Sequence, residues 1–122
     1  MNGILHDTIE QITKATVGKL VNHNTSLPSP AYLSMDSRKI ISPADTIFFA
    51  IKTPHRDGND FIEALYQRGV RNFVTGNKEI SIKKISLANI ILVQDSVTAL
   101  QDLAAFHRSL FKQLPVIGIT GS

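Results

Sequence analysis

Thr46-Ile-Phe-Phe-Ala-Ile51, then the polar Lys52-Thr-Pro-His-Arg-Asp-Gly-Asn-Asp60, then Phe61-Ile-Glu-Ala-Leu-Tyr-Gln-Arg-Gly69 and Val70-Arg-Asn-Phe-Val-Thr75 form the stretch that decides the fold. The first run is apolar and rich in β-branched and aromatic residues, which suits a largely buried strand. After the polar loop, Asn59 or Asp60 can cap a helix whose apolar positions Phe61, Ile62, Leu65 and Tyr66 recur at helical spacing. Gly69 stands where a helix C-terminus wants a left-handed residue, and 70–75 reads as the next strand. Strand, helix and strand with short joins demand a right-handed parallel crossover.

Working outward, the pattern repeats. Ala88-Asn-Ile-Ile-Leu-Val93 predicts a strand, and Ser96 a cap for a long helix with Val97, Leu100, Leu103, Ala104, His107 and Leu110 on one stripe. Residues 115–119 predict another strand, while the Lys-rich 77–87 segment has no assigned element. Towards the amino terminus, 5–14 reads as a short helix with Asp7 and Glu10 as its capping box. Residues 22–30 read as a loop, because Pro28 and Pro30 lack donors and push their predecessors to extended conformations. Residues 31–35 then read as a strand, and Ser42-Pro-Ala-Asp45 as a turn. The expected fold class is α/β, a small mostly parallel sheet flanked by helices.

With 122 residues, 43% apolar and 19% charged, the chain has the size and composition of one globular domain. No run approaches the ~18 apolar residues of a membrane span, and the first residues lack the pattern of a secretory signal, so the expected compartment is the cytoplasm. The absence of cysteine excludes disulfides and thiolate chemistry, and His6, His23, His55 and His107 are not at metal-ligand spacing. A net charge of +3 suits an anionic small ligand and falls far short of a nucleic-acid footprint. The chain stops as the apolar run before Gly118-Ile-Thr-Gly121-Ser122 enters a turn, which implies a piece of a longer protein.

Two segments carry candidate chemistry. Asp36-Ser37-Arg38 and the 52–58 loop both follow strands, where open parallel sheets bind ligands, and they supply hydroxyl, guanidinium, imidazole and glycine backbone donors. Arg38 offers a planar fork for phosphate, and Gly58 allows close backbone approach ahead of a helix. The competing reading makes Asp36 and Asp57 turn-formers, with Arg38 paired to one of them on the surface. Gly118-Ile-Thr-Gly121-Ser122 is the first half of a phosphate-binding loop without its lysine, or else an ordinary turn. His107 reads as a half-buried packing residue, Lys78, Lys83 and Lys84 as a solvated patch, and Asp57 and Asp60 as capping groups. No residue is assigned as catalytic or as a metal ligand.

In order and spacing, Asp36-Ser37-Arg38, Asp45-Thr-Ile-Phe-Phe-Ala-Ile-Lys52, Asp57-Gly58-Asn-Asp-Phe61-Ile62 with Ala64, Gly69-Val70 and Val116-Ile-Gly-Ile-Thr-Gly-Ser122 resemble the amino-terminal domain of the Mur ligases. These are ATP-dependent enzymes that add amino acids to UDP-N-acetylmuramoyl peptides in peptidoglycan synthesis. The resemblance covers about residues 35–122. It implies a UDP-substrate-binding domain over 1–114, and over 115–122 the first strand and ATP-loop start of a central domain that is missing here. The implied contacts to the UDP moiety are Ser37, Arg38, His55 and Arg56, with Asp57 and Gly58 shaping the loop; Thr120, Gly121 and Ser122 would begin the ATP loop. Thr53-Pro54 departs from the glycine that many members carry after the strand lysine.

The resemblance further implies that ATP turns the peptide carboxylate into an acyl phosphate for attack by an amine, with ATP and magnesium held by the missing central and carboxy-terminal domains. No cofactor is expected in residues 1–122, and neither nucleic acid nor membrane is an expected partner. Phe48-Phe-Ala-Ile-Lys52 and Ala105-Phe-His-Arg108 are most similar to members that add D-alanyl-D-alanine, in a subgroup fused ahead of an alanine racemase; pyridoxal phosphate would belong only to such a fusion. The alternatives are the ligase adding the third peptide residue, a fragment preceding an unrelated P-loop NTPase, and, last, a small basic nucleic-acid binder.

Overall fold

The computed structural model describes residues 2–4 and 7–110, with side chains over 7–107. In chain order the elements are β1 (Asn2–Ile4), α1 (Ile9–Ala15), β2 (Lys19–Asn22), β3 (Tyr32–Ser34), β4 (Thr46–Ala50), β5 (Lys52–Thr53), β6 (Arg56–Asp57), α2 (Ile62–Gln67), β7 (Asn72–Thr75), β8 (Asn89–Leu92) and α3 (Ser96–Leu110). Six strands form one sheet in the order β1-β3-β4-β7-β8-β2, and β5 and β6 form a separate hairpin. The ladders β3–β4, β4–β7 and β7–β8 are parallel, whereas the two edges, β1 on β3 and β2 on β8, are antiparallel. The expected α/β class with a mostly parallel sheet is therefore what the chain adopts.

The middles of the central strands are apolar because both faces are covered, with buried polar residues only at their ends. On one face Leu33, Ile47, Phe49, Val74 and Ile91 meet Ile9 and Ile12 of α1 and Leu100 and Leu103 of α3. On the other, Phe48, Ala50, Phe73 and Ile90 meet Ile62 and Leu65 of α2, with Phe48 and Phe73 edge-to-face at 6.5 Å. Gly69 ends α2 as expected, at φ 109°, with its N–H donating to the Tyr66 carbonyl and that of Val70 to the Leu65 carbonyl.

Several local expectations are corrected. The first helix starts later than 5–14: Thr8, not Asp7, is its cap, its hydroxyl accepting from the Gln11 N–H (3.2 Å) while the Gln11 side chain accepts from the Thr8 N–H (2.9 Å). Asp7 is drawn away by His107, whose Nε2 lies 2.7 Å from the Asp7 carboxylate. Strand β2 has no strong signal in the sequence, being four residues long, half-exposed and interrupted by an irregularity between Leu20 and Asn22. At α3 the cap is Asp95 rather than Ser96: its carboxylate accepts from the Thr98 N–H (3.0 Å) and hydroxyl (2.7 Å), which lowers its pKa. Val97 is 40% exposed and does not join the buried stripe. Asp57, not Asn59 or Asp60, caps the turn ahead of α2. The expected strand at 115–119 and the boundary at 114 lie outside the described residues.

A polar ladder fastens the amino ends of the parallel strands. The Asn89 amide donates to the Asn72 side-chain oxygen (2.9 Å), and the Asn24 N–H donates to the Asn89 side-chain oxygen (2.7 Å). The Asn22 amide donates to the carbonyls of Ser86 (2.9 Å) and Ala88 (2.6 Å). These bonds bind β2 and the following loop to β8, leaving the opposite, carboxyl ends of the strands open.

Candidate functional site

Beyond the carboxyl ends of β3 and β4 the chain makes two structured excursions. The first is the turn after β3. Buried Ser34 fastens its start: the hydroxyl donates to the Asp36 carbonyl (3.0 Å) and accepts from the Asp36 N–H (3.2 Å). The Lys39 N–H then closes the turn on the Asp36 carbonyl at 3.0 Å. The Asp36 carboxylate accepts from the Arg38 N–H (2.9 Å) and from its Nε and Nη2 (3.1 Å each). These side-chain bonds, followed by the backbone one, hold the Asp36 carboxyl well below the usual carboxylate range and raise the Arg38 pKa.

The second excursion is the β5–β6 hairpin, with Pro54 and His55 at its tip and Lys52 paired with Asp57 and Thr53 with Arg56. Gly58 ties its base to the core. Its N–H donates to the Ile51 carbonyl at 2.8 Å, and a Cβ there would fall 2.7 Å from the Ile51 nitrogen and 2.9 Å from the Ala50 Cα. Only glycine allows the two backbones to approach so closely. Asp57 continues the bracing, accepting from the N–H (2.9 Å) and side-chain amide (2.8 Å) of Asn59, whose side-chain oxygen accepts from the Thr75 hydroxyl.

Between the two excursions lies a cleft of about 210 Å³ with Met35, Phe48, Ile51 and Phe61 as apolar wall and Asp36, Ser37, Thr53 and Arg56 as polar groups. Arg56 reaches across it: Nη2 donates to the Ser37 hydroxyl at 3.2 Å, and the guanidinium lies 4.8 Å from the Phe61 ring centroid. Neither partner carries a negative charge. Among the described residues Arg56 has no carboxylate within ion-pair distance, whereas the fork of Arg38 is filled by Asp36. The structure thus brings together Ser37, Arg56 and Gly58 on the cleft, with Asp57 beside them; Arg38 is turned to Asp36 with its side chain 71% exposed, and His55 stands at the exposed hairpin tip outside the lining. Thr120, Gly121 and Ser122 lie outside the described residues.

A second, polar cleft follows the carboxyl ends of β4, β7 and β8, lined among others by Lys52, Asn59, Asn77 and Gln94. Lys84 faces Glu63 at 3.7 Å on the surface. Among the described residues no three His, Asp or Glu converge as a metal set, and no helix is long and apolar enough to cross a membrane.

The UDP-N-acetylmuramoyl-tripeptide–D-alanyl-D-alanine ligase of Treponema pallidum is 34% identical over 96 residues, which are 74% of this chain and 20% of that protein. The UDP-N-acetylmuramoyl-L-alanyl-D-glutamate–2,6-diaminopimelate ligase of Geobacillus kaustophilus is also 34% identical, over 101 residues, 82% of this chain and 19% of that protein. The chain belongs to the Mur ligase family. A solved D-alanyl-D-alanyl ligase from Acinetobacter baumannii shares the fold, with a TM-score of 0.69 and 21% identity over 92% of this chain and 24% of its own. No family model matches. This Mur ligase chain spans about a fifth of the length of the curated relatives it matches.

Two features of this Mur ligase site escape a reading of its sequence. Phe61, assigned by periodicity to a helix face, lies on the cleft under Arg56. Arg68, one residue before the capping Gly69, donates from Nη1 to the Ser37 carbonyl at 3.0 Å across 31 positions of chain. No local pattern signals either contact, because both depend on where α2 lands against the turn after β3.

Proposed function

We propose that this domain holds the uridine diphosphate end of a UDP-N-acetylmuramoyl peptide, as the substrate-binding part of the ATP-dependent cytoplasmic ligase that adds D-alanyl-D-alanine to the tripeptide. The observation that carries the reading is Arg56, a guanidinium set on a partly apolar cleft beside the Ser37 hydroxyl with no carboxylate within ion-pair distance, the Asp36 carboxylate on the same cleft being bound to Arg38 and acting on Arg56 only through its longer-range field. Such a group favours a phosphate, to which it can give paired hydrogen bonds. The neighbouring Met35, Phe48 and Phe61 suit a flat nucleobase or the apolar face of a sugar. Arg38, paired with Asp36, and His55, at the exposed hairpin tip, stand outside the cleft, where a ligand extending beyond it would meet them. ATP and magnesium belong, in this proposal, to parts of the protein beyond the described residues.

The T. pallidum relative supports the dipeptide-adding step, and the equal identity of the G. kaustophilus relative favours the third-residue ligase as second reading. An NMR titration of the chain with uridine diphosphate tests the binding claim. Amides at Ser37, Arg56 and Gly58 are expected to shift, and Arg56→Ala to weaken binding roughly tenfold or more, the worth of a charge-assisted hydrogen bond. Arg38→Ala is expected to weaken it less. Absence of shifts at millimolar ligand, or shifts confined to other faces, contradicts the reading. ADP release by the full-length ligase, supplied with D-alanyl-D-alanine or with diaminopimelate, decides the step.

A further inference from the structure

We infer that Arg68 is a positioning residue for the cleft: by clamping the Ser37 carbonyl it keeps the Ser37 hydroxyl against Arg56 and so sets how tightly a phosphate-bearing nucleotide is held. The inference rests on the cleft being the nucleotide site. Ser37 is largely buried, at 9% exposed, and its carbonyl accepts from the Arg68 guanidinium at 3.0 Å. The remaining fastenings of the turn, from Ser34, Lys39 and Arg38, all converge on Asp36. Without Arg68, the peptide between Ser37 and Arg38 is held only at its N–H, by the Asp36 carboxylate at 2.9 Å; its carbonyl loses its anchor to α2, and the Ser37 hydroxyl is no longer fixed against Arg56.

The anchor itself is rigid. Arg68 terminates α2, whose Ile62 and Leu65 are buried in the sheet and whose end is locked by the Gly69 and Val70 bonds to Tyr66 and Leu65. The guanidinium also sits at the carboxyl end of a helix, where a cation is favoured. Met35 and Ile40 pack the two ends of this segment on the core, and Arg68 carries the rigidity of α2 to the peptide between them. Arg68 does not itself line the cleft, and its hydrogen bond to it is to Ser37, so its effect on a ligand runs through Ser37.

Uridine diphosphate affinity, thermal unfolding and amide exchange of the chain and of Arg68→Met and Arg68→Lys test this. Arg68→Met is expected to weaken binding about tenfold, with the loss persisting at 0.5 M salt, roughly where surface charge is screened within a few ångströms. Unfolding is expected to change little, the Lys39 amide to exchange faster, and Arg68→Lys, which keeps a donor and the charge, to recover most of the affinity. Unchanged affinity in Arg68→Met, or a loss that disappears at high salt, overturns the inference, the latter leaving charge alone as the cause. If the unsubstituted chain fails to bind, the proposed function falls separately. Exchange at Lys39 then decides the clamp: faster in Arg68→Met and restored in Arg68→Lys upholds it, and no change refutes it.

Discussion

Asp36 and Arg38 pair within two positions of chain, the Nε and Nη2 edge of the exposed guanidinium being taken by the Asp36 carboxylate. A carboxyl whose pKa is depressed on folding contributes stability that is present above its unfolded value, about 3.9, and lost as pH falls through the folded value. Since Arg38 holds Asp36 well below the usual range, the turn keeps its clip through mild acid. In Arg38→Ala the midpoint of the Asp36 carboxyl carbon, followed by NMR, is expected to rise towards the ordinary value and the loss of turn order to move up with it. An identical acid limb in both proteins contradicts this account. At this scale the sequence is legible where bonds are short in span: Asp36 as turn-former, Arg38 as its surface partner and Asp57 as a cap are readable from composition and spacing. That Arg56, and not Arg38, presents its charge to the cleft is not readable, since it follows from a hairpin folding back towards Ser37 across 19 positions.

Helices and strands show the same division. The end of α1 carries a left-handed residue with the N–H of Val17 donating to Lys14 and that of Gly18 to Thr13, but the residue at φ 55° is Val17, not the adjacent glycine. Gly18 is needed one position later, where a Cβ would fall 2.5 Å from the Ile91 side chain. A β-branched residue in this conformation is strained by about 1 kcal/mol or more, and Val17, 80% exposed, gains no packing in return. Val17→Asn is therefore expected to stabilise the chain by about 1 kcal/mol and raise Tm by a few degrees. A Tm equal to or below the starting value refutes the strain argument. The strands at 46–50, 72–75 and 89–92 and the end of α2 were legible because apolar runs and a capping glycine are local signals. Strand β2 and the β5–β6 hairpin were not, because half-exposed strands of two to four residues have no distinctive pattern and form only against partners already in place.

For the molecule as a whole, the two sheet faces are closed differently: α2 belongs to the chain between neighbouring strands, whereas α1 and α3 come from opposite ends of the described residues and must find each other. The contact that joins their outer ends is Asp7 against His107, both side chains largely buried, at 2.7 Å. Asp7→Ala is expected to cost about 1–3 kcal/mol, read as a lowered denaturant midpoint at constant slope, with faster amide exchange in the second half of α3. An unchanged midpoint means that the apolar stripe alone docks α3.

The sequence by itself determined that the centre of this protein is a parallel sheet covered on both faces, since short apolar runs, helical spacing and a glycine stop are properties of neighbouring residues. It also supplied the ordered motifs by which the Mur ligase family is recognised. Only the tertiary structure decided which short segments close the two antiparallel edges and where Asp7 finds its partner. The same holds for which arginine faces the cleft without an ion-pair partner and which one braces it. Those outcomes turn on contacts between residues tens of positions apart, whose geometry exists only once the core has packed.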